Sequence, residues 1–100
     1  MSRFLVTYHG SGMPDDPALM EQAKMAFGNW VAGAGDAIVD PGAPVQMVTQ
    51  VASEGATDAV QIGGYSIIRA DSVDDARAVI SSHPYVARGG TLQVNQILAV

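Results

Sequence analysis

The stretch Gly63-Gly64-Tyr65-Ser66-Ile67-Ile68-Arg69-Ala70-Asp71-Ser72-Val73-Asp74-Asp75-Ala76 constrains the fold more than any other part of the chain. It reads as a strand that stops abruptly at a helix cap. Strand alternation puts Tyr65, Ile67 and Arg69 on one face and Ser66, Ile68 and Ala70 on the other. The two leading glycines permit a bulge or the close approach of another backbone. Ser72 is an N-cap whose hydroxyl can accept from the Asp75 amide, with Asp75 standing in for the Glu or Gln of a capping box. Asp74 and Asp75 place negative charge at the positive end of the helix dipole. The helix that follows carries Val73, Ala76, Val79 and Ile80 along one narrow apolar stripe. Pro84 closes it by forcing His83 toward an extended conformation.

With 100 residues and 48% apolar content, the chain is expected to be a single globular domain over residues 1–100. That apolar fraction is generous for so small a core, which points to cover by a second subunit. A net charge of -5 and a pI near 4.5 argue against nucleic acid and against an anionic membrane surface. The absence of cysteine removes disulfides, thiolate chemistry and zinc-thiolate sites. No signal peptide or spanning segment is recognised, so a cytoplasmic protein is expected.

In chain order, Arg3–His9 alternates as a first strand, with Phe4, Val6 and Tyr8 on one face and Leu5, Thr7 and His9 on the other. Gly10-Ser11-Gly12-Met13-Pro14 contains G-x-G but neither the Lys-Ser/Thr of a phosphate loop nor a third glycine, and reads as a turn. Asp16 caps a first helix with Pro17 at its first position. Leu19, Ala23, Ala26 and Trp30 share a face flanked by Met20, Phe27 and Val31, with Trp30 read as core or interface rather than a substrate platform. Gly28 costs that helix about 1 kcal/mol, for which close packing is the expected compensation. Gly33 and Gly35 stop it. Ala37–Asp40 is a short apolar run broken by Pro41-Gly42-Ala43-Pro44, after which Val45–Val51 alternates as a strand. Ser53-Glu54-Gly55-Ala56 is turn material, and Asp58–Ile62 returns as an extended piece. Thr91–Val100 forms the last strand. The order is β-α-β-β-α-β, the α+β ferredoxin-like plan, with both helices on one face of an antiparallel sheet. Its bare face invites a homodimer in which two sheets pack face to face.

The Gly63–Ala76 stretch resembles the signature of YCII-related proteins, a family that includes the DGPF-domain group. His83-Pro84, Gly89-Gly90-Thr91-Leu92-Gln93-Val94 and, more loosely, Gly42-Ala43-Pro44 extend the likeness. The resemblance implies a dimeric α+β barrel built from ferredoxin-like subunits, with a cavity between sheet and helices bordered by the His-Pro segment. Related barrels include monooxygenases, muconolactone isomerases and chlorite-handling enzymes. The chain departs from the family in two places. Some members carry a His-Asp dyad on the first helix, at positions that fall here near Lys24 and Gly33, so the dyad is not carried over. Asp58-Ala59-Val60-Gln61 stands where Asp-Gly-Pro-Phe is expected.

The residues suited to chemistry are few. His9 ends the first strand beside a glycine loop, where an imidazole can serve as general base or simply bond to the loop. His83 either borders the cavity or stabilises a helix end as a residue of its last turn. Tyr65 points a hydroxyl into the cavity or packs at the dimer interface. Asp40 can orient a histidine, with Tyr8 beside the site as a second ligand-binding residue, or it can serve only the turn before Pro41. Two histidines among scattered carboxylates specify no metal, and the sequence names no cofactor. Two readings follow. In the first the chain is a small-ligand-binding dimeric barrel using His/Tyr acid–base chemistry on a small organic substrate through His9, Tyr65 and His83. In the alternative it is a non-catalytic binding or interaction module whose purpose is the dimer. An RNA-recognition role on the same plan lacks the exposed aromatics and basic surface it needs.

Overall fold

The computed structural model describes residues 1–10, 15–55 and 58–99. Residues 11–14 of the first turn, 56 of the second and 100 of the last strand lie outside that description. Four strands, β1 (Ser2–His9), β2 (Ile38–Pro44), β3 (Ile62–Ala70) and β4 (Thr91–Gln96), alternate with the helices α1 (Pro17–Ala34) and α2 (Val73–Ser81). A single-turn α3 (Pro84–Ala87) follows α2. The sheet has the order β2-β3-β1-β4, and every neighbouring pair is antiparallel. This is the β-α-β-β-α-β ferredoxin-like arrangement that the element order predicts.

Alternation along β1 sends Phe4 and Val6 inward, where they meet Ile68 and Ala70 of β3, Trp30 of α1, and Ala76 and Ile80 of α2. Trp30 is core, and its indole N–H donates to the Val79 carbonyl at 3.2 Å, pinning α1 to α2. Both caps have the chemistry the sequence prescribes. The Asp16 carboxylate accepts from the amides of Ala18 and Leu19 (2.8 and 3.3 Å), and Ser72 Oγ accepts from the Asp75 amide at 3.1 Å. The shortest molecular dimension is 19 Å, enough for one sheet and one layer of helices about 10 Å apart. The sheet face bearing Leu5, Thr7, Tyr65 and Ile67 is therefore the one the helices leave uncovered.

Four expectations need correcting. The last strand, expected over Thr91–Val100, ends at Gln96. The Pro41–Pro44 segment does not break the chain away from the sheet: it belongs to β2, whose pairing with β3 shifts register between Ile38 and Asp40 and between Asp40 and Ala43. Prolines are tolerated because β2 is an edge strand, where a missing N–H leaves no ladder bond unmade. Val45–Val51, expected as a strand, forms none among the described residues despite its alternation: only the Val45 amide reaches β3, donating to the Gly63 carbonyl at 3.1 Å. The segment's side chains face solvent, Val48 being 88% and Val51 96% exposed. Gly28 is not closely packed either, since a Cβ there meets nothing within 4 Å.

Two glycines therefore have opposite stability signs. Gly28→Ala should raise stability by about 0.5–1 kcal/mol in equilibrium urea unfolding, from helix propensity alone. Gly42 has φ +81°, and an added Cβ overlaps the Tyr65 carbonyl. Gly42→Ala should cost about 3 kcal/mol or more in the same experiment, because it combines backbone strain with displacement of β2.

Candidate functional site

A chain of four hydrogen bonds ties every layer of the fold together at one end of the sheet. It begins at the junction between α2 and α3. Pro84 occupies the first helical position of α3 and holds His83 in an extended conformation (φ −65°, ψ 135°), which makes His83 its N-cap. His83 thus starts α3 and lies past the end of α2, which corrects its expected place in a last helical turn. Its Nδ1 accepts from the Tyr85 amide at 3.0 Å. Its Nε2 lies 2.8 Å from the Tyr8 hydroxyl, the Tyr8 hydroxyl 2.6 Å from Ser66 Oγ, and Ser66 Oγ 2.8 Å from the Pro41 carbonyl.

The two ends fix the direction of every bond. A backbone N–H can only donate, so Nδ1 is unprotonated and the neutral ring carries its proton on Nε2. A carbonyl can only accept, so Ser66 spends its one hydroxyl proton on Pro41. It follows that Tyr8 donates to Ser66, and that the Tyr8 oxygen accepts from His83 Nε2–H. Burial, with the Arg88 charge adding to it, lowers the His83 pKa to about 4, so the neutral tautomer prevails at neutral pH. Burial also pushes the Tyr8 phenol up, partly offset by its bond to Ser66.

The network forms one wall of a cleft of about 290 Å³ between the sheet and the helices. Tyr8, His83 and Tyr85 line it from one side, Phe27 and Lys24 from α1, and the bulged Pro41–Pro44 segment from the edge. The Tyr8 and Tyr85 rings stack at 5.6 Å, and His83 meets the Tyr8 ring edge-on at 4.9 Å and the Trp30 ring at 4.4 Å. Tyr85 is anchored by donating to the His9 carbonyl at 2.6 Å. Gly64 lets β2 and Tyr8 come close, since a Cβ there would lie 3.2 Å from the Ala43 carbonyl and 3.4 Å from the Tyr8 ring.

Of the residues singled out in the sequence, Tyr8 and His83 meet. His9 does not join them. Its side chain alternates to the uncovered sheet face, where Nε2 is 3.0 Å from Thr7 Oγ1. Tyr65 borders the cleft, but alternation places its ring on the face of Ile67, opposite Ser66. Asp40 pairs with neither histidine. Its carboxylate accepts from the Gly42 amide at 2.8 Å and so shapes the β2 bulge. Ser66, Tyr85 and Arg88 were missed. The available signal for Ser66 was a hydroxyl among apolar residues on the inward face of a buried strand, a position that demands a partner. Among the described residues, no group of three His, Cys, Asp or Glu is placed to hold a metal, and no helix is long and apolar enough to cross a membrane.

Chemically, the network supports a tyrosine acid. If Tyr8 gives up its proton, His83 Nε2–H already points at the resulting phenolate, and the Ser66 hydroxyl can turn from Pro41 to donate as well. His83 is a positioning residue in this scheme. With Nδ1 committed to a backbone amide, it supplies a fixed donor.

No protein-family profile matches the chain, and no curated protein does. Among solved structures it is similar to a 5-chloro-2-hydroxyhydroquinone dehydrochlorinase from Burkholderia phenoliruptrix, in complex with 2,5-dihydroxybenzoquinone. The TM-score is 0.57 at 17% identity, over 91% of this chain and 90% of that one. The likeness establishes a shared fold.

The His83 ring should titrate near pH 4 in a two-dimensional imidazole NMR experiment. Its contribution to stability is fully present above the unfolded value of about 6.5 and is lost as pH falls toward 4, because only the unfolded chain takes up the proton in that window. Tyr8→Phe and Ser66→Ala should each cost about 1–3 kcal/mol by stranding buried partners. The double variant should cost clearly less than their sum in a denaturation cycle.

Proposed function

We propose that the chain is a small-ligand-binding protein of the dimeric α+β-barrel type, an enzyme that uses Tyr8 as an acid toward a small, planar organic substrate. The observation that carries this reading is the Tyr8 hydroxyl, held between His83 and Ser66 on the wall of a largely apolar cleft. Such a cleft, apolar with a few convergent polar groups, is the usual form of a ligand site. Because burial raises the Tyr8 pKa, the phenol stays protonated at neutral pH, and its hydroxyl, which rests donating to Ser66, can turn toward the cleft and give that proton to a substrate oxygen that develops charge. The ring-sized ligand of the structural neighbour supports a planar occupant, and the YCII-like signature at Gly63–Ala76 supports the barrel.

The dimer is part of the proposal. Leu5 pairs across the sheet with Ile67, and Thr7 with Tyr65, which gives the uncovered face an apolar centre. The solvent-facing Met47, Val48, Val51 and Val60 add apolar surface at the β2–β3 connection that a second copy can cover. His9 belongs to that face, so its role in this scheme is at the subunit interface.

Native mass spectrometry of gently purified protein should give twice the 10.4 kDa chain mass with a retained non-covalent ligand. Ile67→Arg should convert the dimer to monomer in light scattering, and a wild-type monomer would sink the paired-sheet barrel. With a substrate identified from the retained mass, Tyr8→Phe should slow turnover by about 10²-fold or more, while His9→Ala leaves the chemical step unchanged. Ligand binding without turnover in the wild type would instead favour the non-catalytic binding module.

A further inference from the structure

Positive charge is scarce in this chain: Lys and Arg number 5 against 10 Asp and Glu. Two of those five cations, Lys24 on α1 and Arg88 immediately after α3, nevertheless line the same cleft, and among the described residues no Asp or Glu does. The cleft therefore carries the opposite sign to the molecule as a whole. The rest of its lining is aromatic, proline, glycine and alanine, with His83 neutral. A concave, weakly polar wall with charge of one sign at its mouth concentrates its field on whatever enters. Arg88 is held in place rather than simply solvated, its guanidinium carbon lying 5.4 Å from the Tyr85 ring centroid. Its charge also reaches inward, as one of the two causes that lower the His83 pKa.

We propose that the cleft selects a small aromatic anion, with Arg88 and Lys24 reading the negative charge while the ring lies along Phe27 and Tyr85. The inference rests on the cleft being a ligand site and names the ligand class. The volume of about 290 Å³ is at the small end for ligand pockets, matching a single substituted ring rather than a nucleotide. Arg88 offers a planar fork suited to a carboxylate or an ionised enol, and Lys24 a mobile point charge on the facing helix. The Tyr8 oxygen, already accepting from His83 and donating to Ser66, retains one lone pair for a hydroxyl on the ring. A hydroxylated aromatic acid or an acidic hydroxyquinone satisfies all of these groups together. A neutral ring of the same shape leaves both cations without a partner.

Isothermal titration calorimetry at pH 7.5 and low salt, on the full-length protein, separates these cases with three probes: 4-hydroxybenzoate, the isosteric but neutral 4-hydroxybenzamide, and 2,5-dihydroxybenzoquinone. The anions should bind about tenfold or more tightly than the amide, and the preference should shrink as salt rises. Arg88→Gln and Lys24→Gln should each weaken the anions by about three- to tenfold and the amide by much less. Both side chains are exposed, so the melting temperature should move little, and Lys24→Arg should keep the preference. If the amide binds as well as 4-hydroxybenzoate, or if neither Gln variant changes anion affinity, the charge assignment is overturned while the cleft survives as a ligand site. If none of the three probes binds, the ligand-site reading itself is lost and this inference goes with it.

Discussion

The fold converges on one half-buried hydroxyl. The Tyr8 oxygen is bonded on one side to His83, which caps α3, and on the other to Ser66 of β3, which in turn reaches Pro41 of β2. Four separate segments of the chain thus meet through polar atoms held partly away from water. Buried polar groups of this kind are costly when any one is removed and specify a single arrangement when all are satisfied. No buried side-chain nitrogen or oxygen among the described residues lacks a partner, so the network is complete. The apolar core of Phe4, Val6, Ile68 and Trp30 supplies the bulk driving force without selecting an arrangement. The hydrogen-bond chain specifies which end of the sheet meets the α2–α3 junction.

Much of this architecture was legible in the sequence, because local rules and the tertiary fold agree over most of the chain. Ser72 and Asp16 cap where their neighbours require it, and the alternation of Phe4, Val6 and Tyr8 identifies the inward face of β1. The reading failed at β2, where local and long-range signals conflict. Pro41-Gly42-Ala43-Pro44 looks like a turn by composition, and only the order of the sheet reveals that it lies on an edge that tolerates proline. The clean alternation of Val45–Val51 misled for the complementary reason. Period-two patterning records which side chains want the same environment, and it does not say that a neighbouring strand exists to provide one.

The site was half legible. His83 drew attention as a histidine before proline, and Tyr8 as a tyrosine at a strand end, but nothing local connects two residues 75 positions apart. His9 is the stronger candidate in the sequence because it stands beside a glycine loop. Strand geometry separates it from Tyr8 all the same, since adjacent residues on a strand face opposite sides of the sheet. Tyr8 and His9 therefore cannot both reach the cleft. The inward set containing Phe4 and Val6 claims Tyr8, which leaves His9 on the uncovered face.

The prolines of β2 then acquire a function that their composition hides. In a regular antiparallel ladder, the carbonyls of an edge strand that face its neighbour are consumed by backbone amides. The register shift between Asp40 and Ala43 interrupts that ladder, and the Asp40 carboxylate secures the interruption by holding the Gly42 amide. The Pro41 carbonyl is thereby free to accept from Ser66. That single acceptor orients the serine proton outward from Tyr8, which obliges Tyr8 to donate and His83 to be donor in its turn. A regular strand in this position would leave Ser66 free to donate to Tyr8, and the tyrosine proton would then have no fixed direction. The irregular edge of the sheet is thus what gives the Tyr8 hydroxyl a defined polarity, and the open wall of the cleft is the same irregularity seen from its other side.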